Sequence, residues 1–229
     1  MTAALYLVST PIGNLQDITL RAIEILKDVD IIACEDTRKT GLLLQRLKIN
    51  RRGKLVSYYE ENEEKRIPQL INEIKNGKSV ALVSNAGTPT ISDPGFKLVR
   101  ECIAQNIKVI PIPGPSASLA ALVVSGFPPD KFLFLGYLPK KDLRRKKLLE
   151  KVKKIPFSCT LILFESPKRV IKLLNEIQLI FGEVDLVLAR ELTKVFEEFL
   201  RGKPTELLKT LEENPPRGEI TVLINIPPK

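Results

Sequence analysis

The chain has 229 residues, 44% of them hydrophobic, enough to bury one large core or two compact ones of about 100 residues each. Lysine and arginine outnumber aspartate and glutamate by 36 to 27, and the resulting net charge of +9 favours a polyanionic partner such as nucleic acid without singling one out. Histidine is absent, which excludes Ser-His-Asp and Cys-His catalysis, histidine metal ligation and an imidazole base; any base must be a carboxylate, lysine, tyrosine or the substrate itself. In chain order, the apolar runs Leu5–Ser9, Ile31–Cys34, Val80–Ser84, Val109–Ile112, Phe132–Leu135, Leu161–Phe164, Leu186–Ala189 and Ile220–Ile226 read as strands. The amphipathic segments Ile18–Leu26, Ile67–Lys75, Phe96–Gln105, Val170–Ile180 and Thr205–Leu211 read as helices between them. Strands separated by helices imply mainly parallel sheets, and so an α/β protein.

Pro111-Ile112-Pro113-Gly114-Pro115 disfavours helix until Ser116, after which SASLAALVVS is helical in pattern. The sequence therefore predicts two lobes, residues 1–113 and 114–229, although a surface loop would explain the same composition. A cleft between lobes is a common place for a cofactor. The start, MTAALYLVSTPIG, has no basic segment and is broken by Pro11 and Gly13, so neither a signal peptide nor an anchor is expected, and a cytoplasmic protein is. Cys34, Cys102 and Cys159 are far apart in sequence, which suits a reducing compartment and suggests neither a disulfide framework nor a thiol metal site.

Several strand ends carry groups suited to chemistry. Thr10-Pro11-Ile12-Gly13-Asn14 follows the first strand, where α/β sheets bind ligands, although such turns are commonly no more than turns, and no Walker A or G-x-G-x-x-G pattern occurs. Glu35-Asp36-Thr37-Arg38-Lys39-Thr40 follows the second, and either acid-base work or plain helix capping by Asp36 or Thr37 accounts for it. The small and hydroxyl-rich stretch Asn85–Gly95 is long for a connector and suited to wrapping a ligand, with Asp93-Pro94 expected to cap the following helix. Leu138–Lys154 gathers Lys140, Lys141, Arg144, Arg145, Lys146, Lys147, Lys151, Lys153 and Lys154 around an apolar stripe of Leu143, Leu148 and Val152. That density suits phosphate contact or merely a solvated face, and with no aromatic residue interleaved any base stacking must come from elsewhere. Glu165-Ser166-Pro167-Lys168-Arg169 and Arg190-Glu191-Leu192-Thr193-Lys194 place charges at two further strand ends.

Taken in order, LYLVSTPIGNLQDIT, IIACEDTRKTGLLL, ALVSNAGTPTISDPG, PIPGPSA, LFESPKR and LARELTKVFEE resemble the tetrapyrrole methylase superfamily over nearly the whole chain, and within it the branch that methylates small-subunit ribosomal RNA. The resemblance implies two α/β lobes of tetrapyrrole-methylase type with S-adenosyl-L-methionine in the cleft between them, a homodimer, no metal, and 2′-O-methylation of a cytidine near the decoding centre. By position it implies a cofactor pocket of Pro11, Ser84, Asn85, Ala86, Thr88, Ile91, Ser116, Ala117, Phe164 and Leu192. The polar side falls on Glu35, Asp36, Arg38, Glu165, Lys168, Arg169, Arg190, Glu191 and Lys194. Asn85 stands where this branch usually has aspartate, and Tyr58–Glu63 lacks a histidine often found there.

A ribose hydroxyl is a weak acid, so a carboxylate of raised pKa would serve as base: Glu165 and Asp36 first, Glu191 third. Arg38, Lys168, Arg169, Arg190 and Lys194, with Arg144 and Arg145, would hold RNA phosphates, and the target nucleotide would have to be splayed from its neighbours. Two alternatives stay open on sequence grounds: a same-fold methyltransferase acting on a tetrapyrrole or other small substrate, and a non-catalytic RNA-binding module.

Overall fold

The structure, a computed structural model, describes residues 1–227, which divide into two units, Met1–Ser116 and the chain from Ala117 onward. The division falls between Ser116 and the first residue of a helix, a few residues beyond the Pro113-Gly114 step expected from composition.

The first unit contains β1 (Leu5–Val8), α1 (Leu20–Asp28), β2 (Ile31–Cys34), α2 (Thr37–Arg46), β3 (Lys54–Ser57), α3 (Glu63–Lys75), β4 (Val80–Val83), α4 (Phe96–Ala104) and β5 (Val109–Ile112). Its strands run in the order β3-β2-β4-β1-β5 and every pairing is parallel. The strands alternate between two cores: Tyr6, Val8, Ile32, Cys34, Ala81 and Val83 pack with Ala22, Leu26 and Leu44 of α1 and α2, while Leu5, Ile31, Ala33, Val80 and Leu82 pack with Leu70, Ile74, Leu98 and Cys102 of α3 and α4. Burial on both faces is why β2 and β4 read as unbroken apolar runs rather than alternating ones. Because all strands are parallel, the turns after β1, β2, β4 and β5 emerge at one edge of the sheet. The edge strand β3, paired among the described residues with β2 alone, has no such run, so its sequence does not mark it as a strand.

The second unit contains α5 (Ala117–Ser125), β6 (Phe132–Tyr137), α6 (Asp142–Val152), β7 (Cys159–Glu165), α7 (Pro167–Phe181), β8 (Leu186–Arg190), β9 (Glu198–Gly202), α8 (Pro204–Glu213) and β10 (Ile220–Ile226). Here the expectation of a mainly parallel sheet fails. In the order β6-β7-β10-β8-β9 only β6 and β7 are parallel; β10 runs antiparallel to β7 and β8, and β9 antiparallel to β8. The segment joining β8 to β9 is too short for a helical crossover, so it closes a hairpin instead. One face of this sheet, with Leu161, Leu163, Leu188 and Val222, buries against Leu149, Leu173, Leu174, Ile177 and Leu207 of α6, α7 and α8. α5 contacts β7 and β10. The three cysteines are free and buried, and among the described residues no helix is long and apolar enough to cross a membrane.

Candidate active site

In the first unit the turns after β1, β4 and β5 are joined to one another. Thr10 and Gly87 exchange backbone hydrogen bonds at 2.9 Å, Ser9 Oγ lies 3.0 Å from Thr88 Oγ1, and Thr88 Oγ1 donates to the Pro115 carbonyl at 3.1 Å. The stretch after β4 is strained: Thr90 and Ser92 adopt φ values of 75° and 64°, in the left-handed region that costs a β-branched residue most. These two residues flank Ile91, which is thrown outward to solvent. The far end of the stretch is pinned by Glu63, whose buried Oε1 accepts from Gly95 N and from the Tyr58 hydroxyl, each at 2.9 Å. Gly95 has φ 131°, and a Cβ there would lie 2.6 Å from Leu82 Cδ2, so only glycine fits.

Two side chains on this stretch stand out. Asn85 Oδ1 is buried with no hydrogen-bond partner among the described residues, an orphaned acceptor ready for a ligand donor. Asp93 does not cap α4 as expected; Gly95 occupies the N-cap position. Burial pushes the Asp93 carboxyl up to about 6, against a hydrogen bond from Ser84, and the nearby charge of Glu35 adds to the rise.

Asp36 turns out to be the N-cap of α2. Its Oδ1 accepts from Arg38 N at 2.9 Å, and the Arg38 guanidinium chelates both carboxylate oxygens at 3.2 and 3.0 Å. The Arg38 side chain, followed by its backbone N–H, holds the Asp36 carboxyl down to about 2. A carboxylate held ionised in this way is a weaker proton acceptor than a free one.

In the second unit Ile220 sits in register between Glu165 and Arg190, so the ends of β7 and β8 meet the start of β10. Glu165 is 2% exposed; its Oε1 accepts from Ser166 N at 2.8 Å and its Oε2 lies 3.2 Å from Arg169. Arg169 also donates to the Leu138 carbonyl at 3.0 Å, and Arg190 pairs with Glu198 at 2.9 Å. Glu191 accepts from Lys194 Nζ at 2.8 Å and from Glu219 N at 2.9 Å, and these bonds, the lysine's first, lower its pKa. Glu191 and Thr193 have φ values of 50° and 64° on either side of Leu192. The arrangement repeats the one around Ile91: an apolar residue held between two strained neighbours.

The basic segment divides sharply. The apolar stripe of α6 is Leu149 and Val152, with the expected Leu148 partly buried against the same core and Arg145 continuing it N-terminally, whereas Leu143, also expected in the stripe, faces solvent. Arg145 is 3% exposed and makes two 2.6 Å bonds to Glu176 of α7, one of 2.9 Å to Asp142, and two to the carbonyls of Pro139 and Lys140. Its donors are consumed, which removes Arg145 from the phosphate-binding set. Lys140, Lys141, Arg144, Lys147, Lys151 and Lys154 are exposed and have no ion pair among the described residues, and Lys168 is likewise exposed. Sequence reasoning missed Glu63 because it lies in an acidic run, Tyr58–Glu64, that resembles a solvated face, and it took Asp93 for a cap because Asp-Pro before an amphipathic run is a common cap signature.

Residues 4–208 match the family of Tetrapyrrole (Corrin/Porphyrin) Methylases. The chain belongs to the tetrapyrrole methylase family. This tetrapyrrole methylase is 47% identical over 221 residues to ribosomal RNA small subunit methyltransferase I of Thermotoga maritima, a match covering 96% of the chain and 97% of the relative. It is 50% identical over 227 residues to the protein of the same name from Mesorhizobium japonicum, covering 96% of the chain and 74% of that relative. Solved tetrapyrrole methylase structures share the fold at low identity. A cobalt precorrin-4 methyltransferase superposes with a TM-score of 0.69 at 18% identity, covering 97% of this chain and 94% of the other. A uroporphyrin-III C-methyltransferase from Thermus thermophilus, complexed with S-adenosylhomocysteine, gives 0.64 at 18%, covering 96% of each.

Proposed function

We propose that this tetrapyrrole methylase transfers a methyl group from S-adenosylmethionine to the 2′-hydroxyl of a cytidine in small-subunit ribosomal RNA near the decoding centre. The near full-length identity of 47% to a relative bearing the small-subunit RNA methyltransferase name carries this reading. Six exposed cations on and beside α6, without an ion pair among the described residues, agree with an RNA substrate, since each phosphate they neutralise releases counterions. A tetrapyrrole would have no use for so long a basic face.

By position in the sequence, the residues proposed for the cofactor are Pro11, Ser84, Asn85, Ala86, Thr88, Ile91, Ser116, Ala117, Phe164 and Leu192. The orphaned Asn85 Oδ1 fits this assignment, because a ligand N–H or O–H would satisfy it. When bound, S-adenosylmethionine supplies the methyl as an electrophile on a sulfonium. The chain's own part is to orient the ribose, exclude water and take the hydroxyl proton. Glu165, 2% exposed and fixed by Arg169 at the end of β7, is assigned as the base, ahead of Asp36 and Glu191. Arg38, Arg144, Lys168, Arg169, Arg190 and Lys194 are assigned to RNA phosphates, with Arg169 also fixing Glu165.

The enzyme acts in the cytoplasm as a homodimer. The three buried free thiols suit a reducing compartment, and Val195 (93% exposed), Phe196 (71% exposed) and Val123 offer apolar surface for a second copy. The test is to incubate the protein with radiolabelled methyl donor and small ribosomal subunits from a strain lacking this activity, then identify the labelled nucleoside. Labelled 2′-O-methylcytidine is expected; donor binding without label on the RNA would overturn the assignment.

A further inference from the structure

The basic segment has no aromatic residue of its own, but the strand leading into it ends in one. β6 and β7 run in parallel register with Phe134 opposite Ile162, then Gly136 opposite Leu163 and Tyr137 opposite Phe164, so β6 carries one extra residue at Leu135. Gly136 makes this bulge possible with φ 60°. In a regular strand Phe134 and Tyr137, three residues apart, would point to opposite faces. The bulge resets the alternation, and both rings pack edge-on against Phe164, with centroids 4.9 and 5.7 Å away. Phe134 and Phe164 are partly covered, whereas Tyr137 is 58% exposed, a large ring braced from behind and open to solvent. Three residues on, the chain presents Lys140 and Lys141 and then Arg144, all exposed and unpaired among the described residues.

A braced, exposed ring followed directly by free cations is the combination that holds single-stranded nucleic acid: the ring takes a base face and the cations take the phosphates. We propose that Tyr137, backed by Phe164 and Phe134, is a stacking platform for a nucleobase of single-stranded RNA whose backbone passes over Lys140, Lys141 and Arg144. The proposal rests on the RNA-methyltransferase reading and adds the place where a splayed base is held. Phe164 is also assigned to the cofactor, so the adenine of the cofactor is the competing occupant of the ring.

Tyr137→Phe, Tyr137→Leu and Tyr137→Ala would be compared with the native protein for binding of a short fluorescent single-stranded oligoribonucleotide, for cofactor affinity by calorimetry, and for thermal stability. The leucine and alanine variants are expected to bind RNA about 5- to 100-fold more weakly and the phenylalanine variant within about twofold of native, with cofactor affinity and melting temperature unchanged. Native RNA affinity in Tyr137→Leu would overturn the platform, and so would a loss of cofactor affinity with RNA binding intact, which would give the ring to adenine. A native protein that binds no RNA would overturn the platform and the RNA reading together; native binding that Tyr137→Ala leaves untouched would overturn the platform alone.

Discussion

Asp93 and Asp36 sit in neighbouring turns of one sheet edge and are shifted in opposite directions, so they carry opposite pH signatures. The Asp93 carboxyl is raised from 3.8 to about 6, chiefly by burial. The fold therefore favours its protonated form: the stabilisation is complete below the ordinary value and is lost as pH rises through about 6. Asp93→Asn is expected to flatten the fall in stability across this window, by on the order of 1–3 kcal/mol, in urea denaturation at stepped pH. An unaltered pH slope would show that Asp93 titrates normally. Asp36, held down to about 2, stabilises above its ordinary value and loses that contribution as pH falls through about 2. Asparagine still accepts at an N-cap, so Asp36→Asn is expected to keep helix α2 and to lower turnover by no more than about tenfold, whereas Glu165→Gln is expected to cost about 100-fold or more. Single-turnover methylation by the two variants checks this, and the reverse ranking would return Asp36 to the role of base.

At the level of elements, Arg145 fastens α6 to α7 through Glu176, leaving the rest of the helix free to present cations. Removing one partner leaves a buried uncompensated charge, so Glu176→Gln is expected to destabilise by about 3–5 kcal/mol in chemical denaturation. The double replacement Arg145→Met with Glu176→Leu should recover most of that loss, because breaking a buried pair costs more than replacing it with apolar groups. Arg144→Ala, one residue away and exposed, should leave stability within about 0.5 kcal/mol and weaken RNA binding instead. The sequence located this run of charge but could not tell Arg144 from Arg145. The partner that decides the matter, Glu176, lies on another helix, and nothing local to the basic segment announces it. The same holds for Glu63, whose partner Gly95 closes the stretch after β4 from a distant part of the chain.

For the molecule as a whole, cation number sets salt dependence. Replacing Lys140, Lys141 and Arg144 together by alanine should lower the slope of log K against log salt by about 2, at about 0.7 per single-strand phosphate contact. A titration series in potassium chloride measures it, and an unchanged slope would place the RNA elsewhere. Sedimentation at several concentrations tests the homodimer, and Val195→Glu with Phe196→Glu should shift the population toward monomer. The sequence by itself determined the α/β class, the eight apolar runs that became strands, the exclusion of histidine chemistry and the family. These follow from local pattern, because alternation, turn residues and motif order are properties of neighbouring positions. Only the tertiary structure decided the antiparallel course of β10 between β7 and β8, the burial of Arg145, the raised pKa of Asp93 and the bulge that turns Tyr137 onto Phe164. Each of these depends on which distant residues come to lie side by side, and therefore on burial and pairing that no short window of sequence contains.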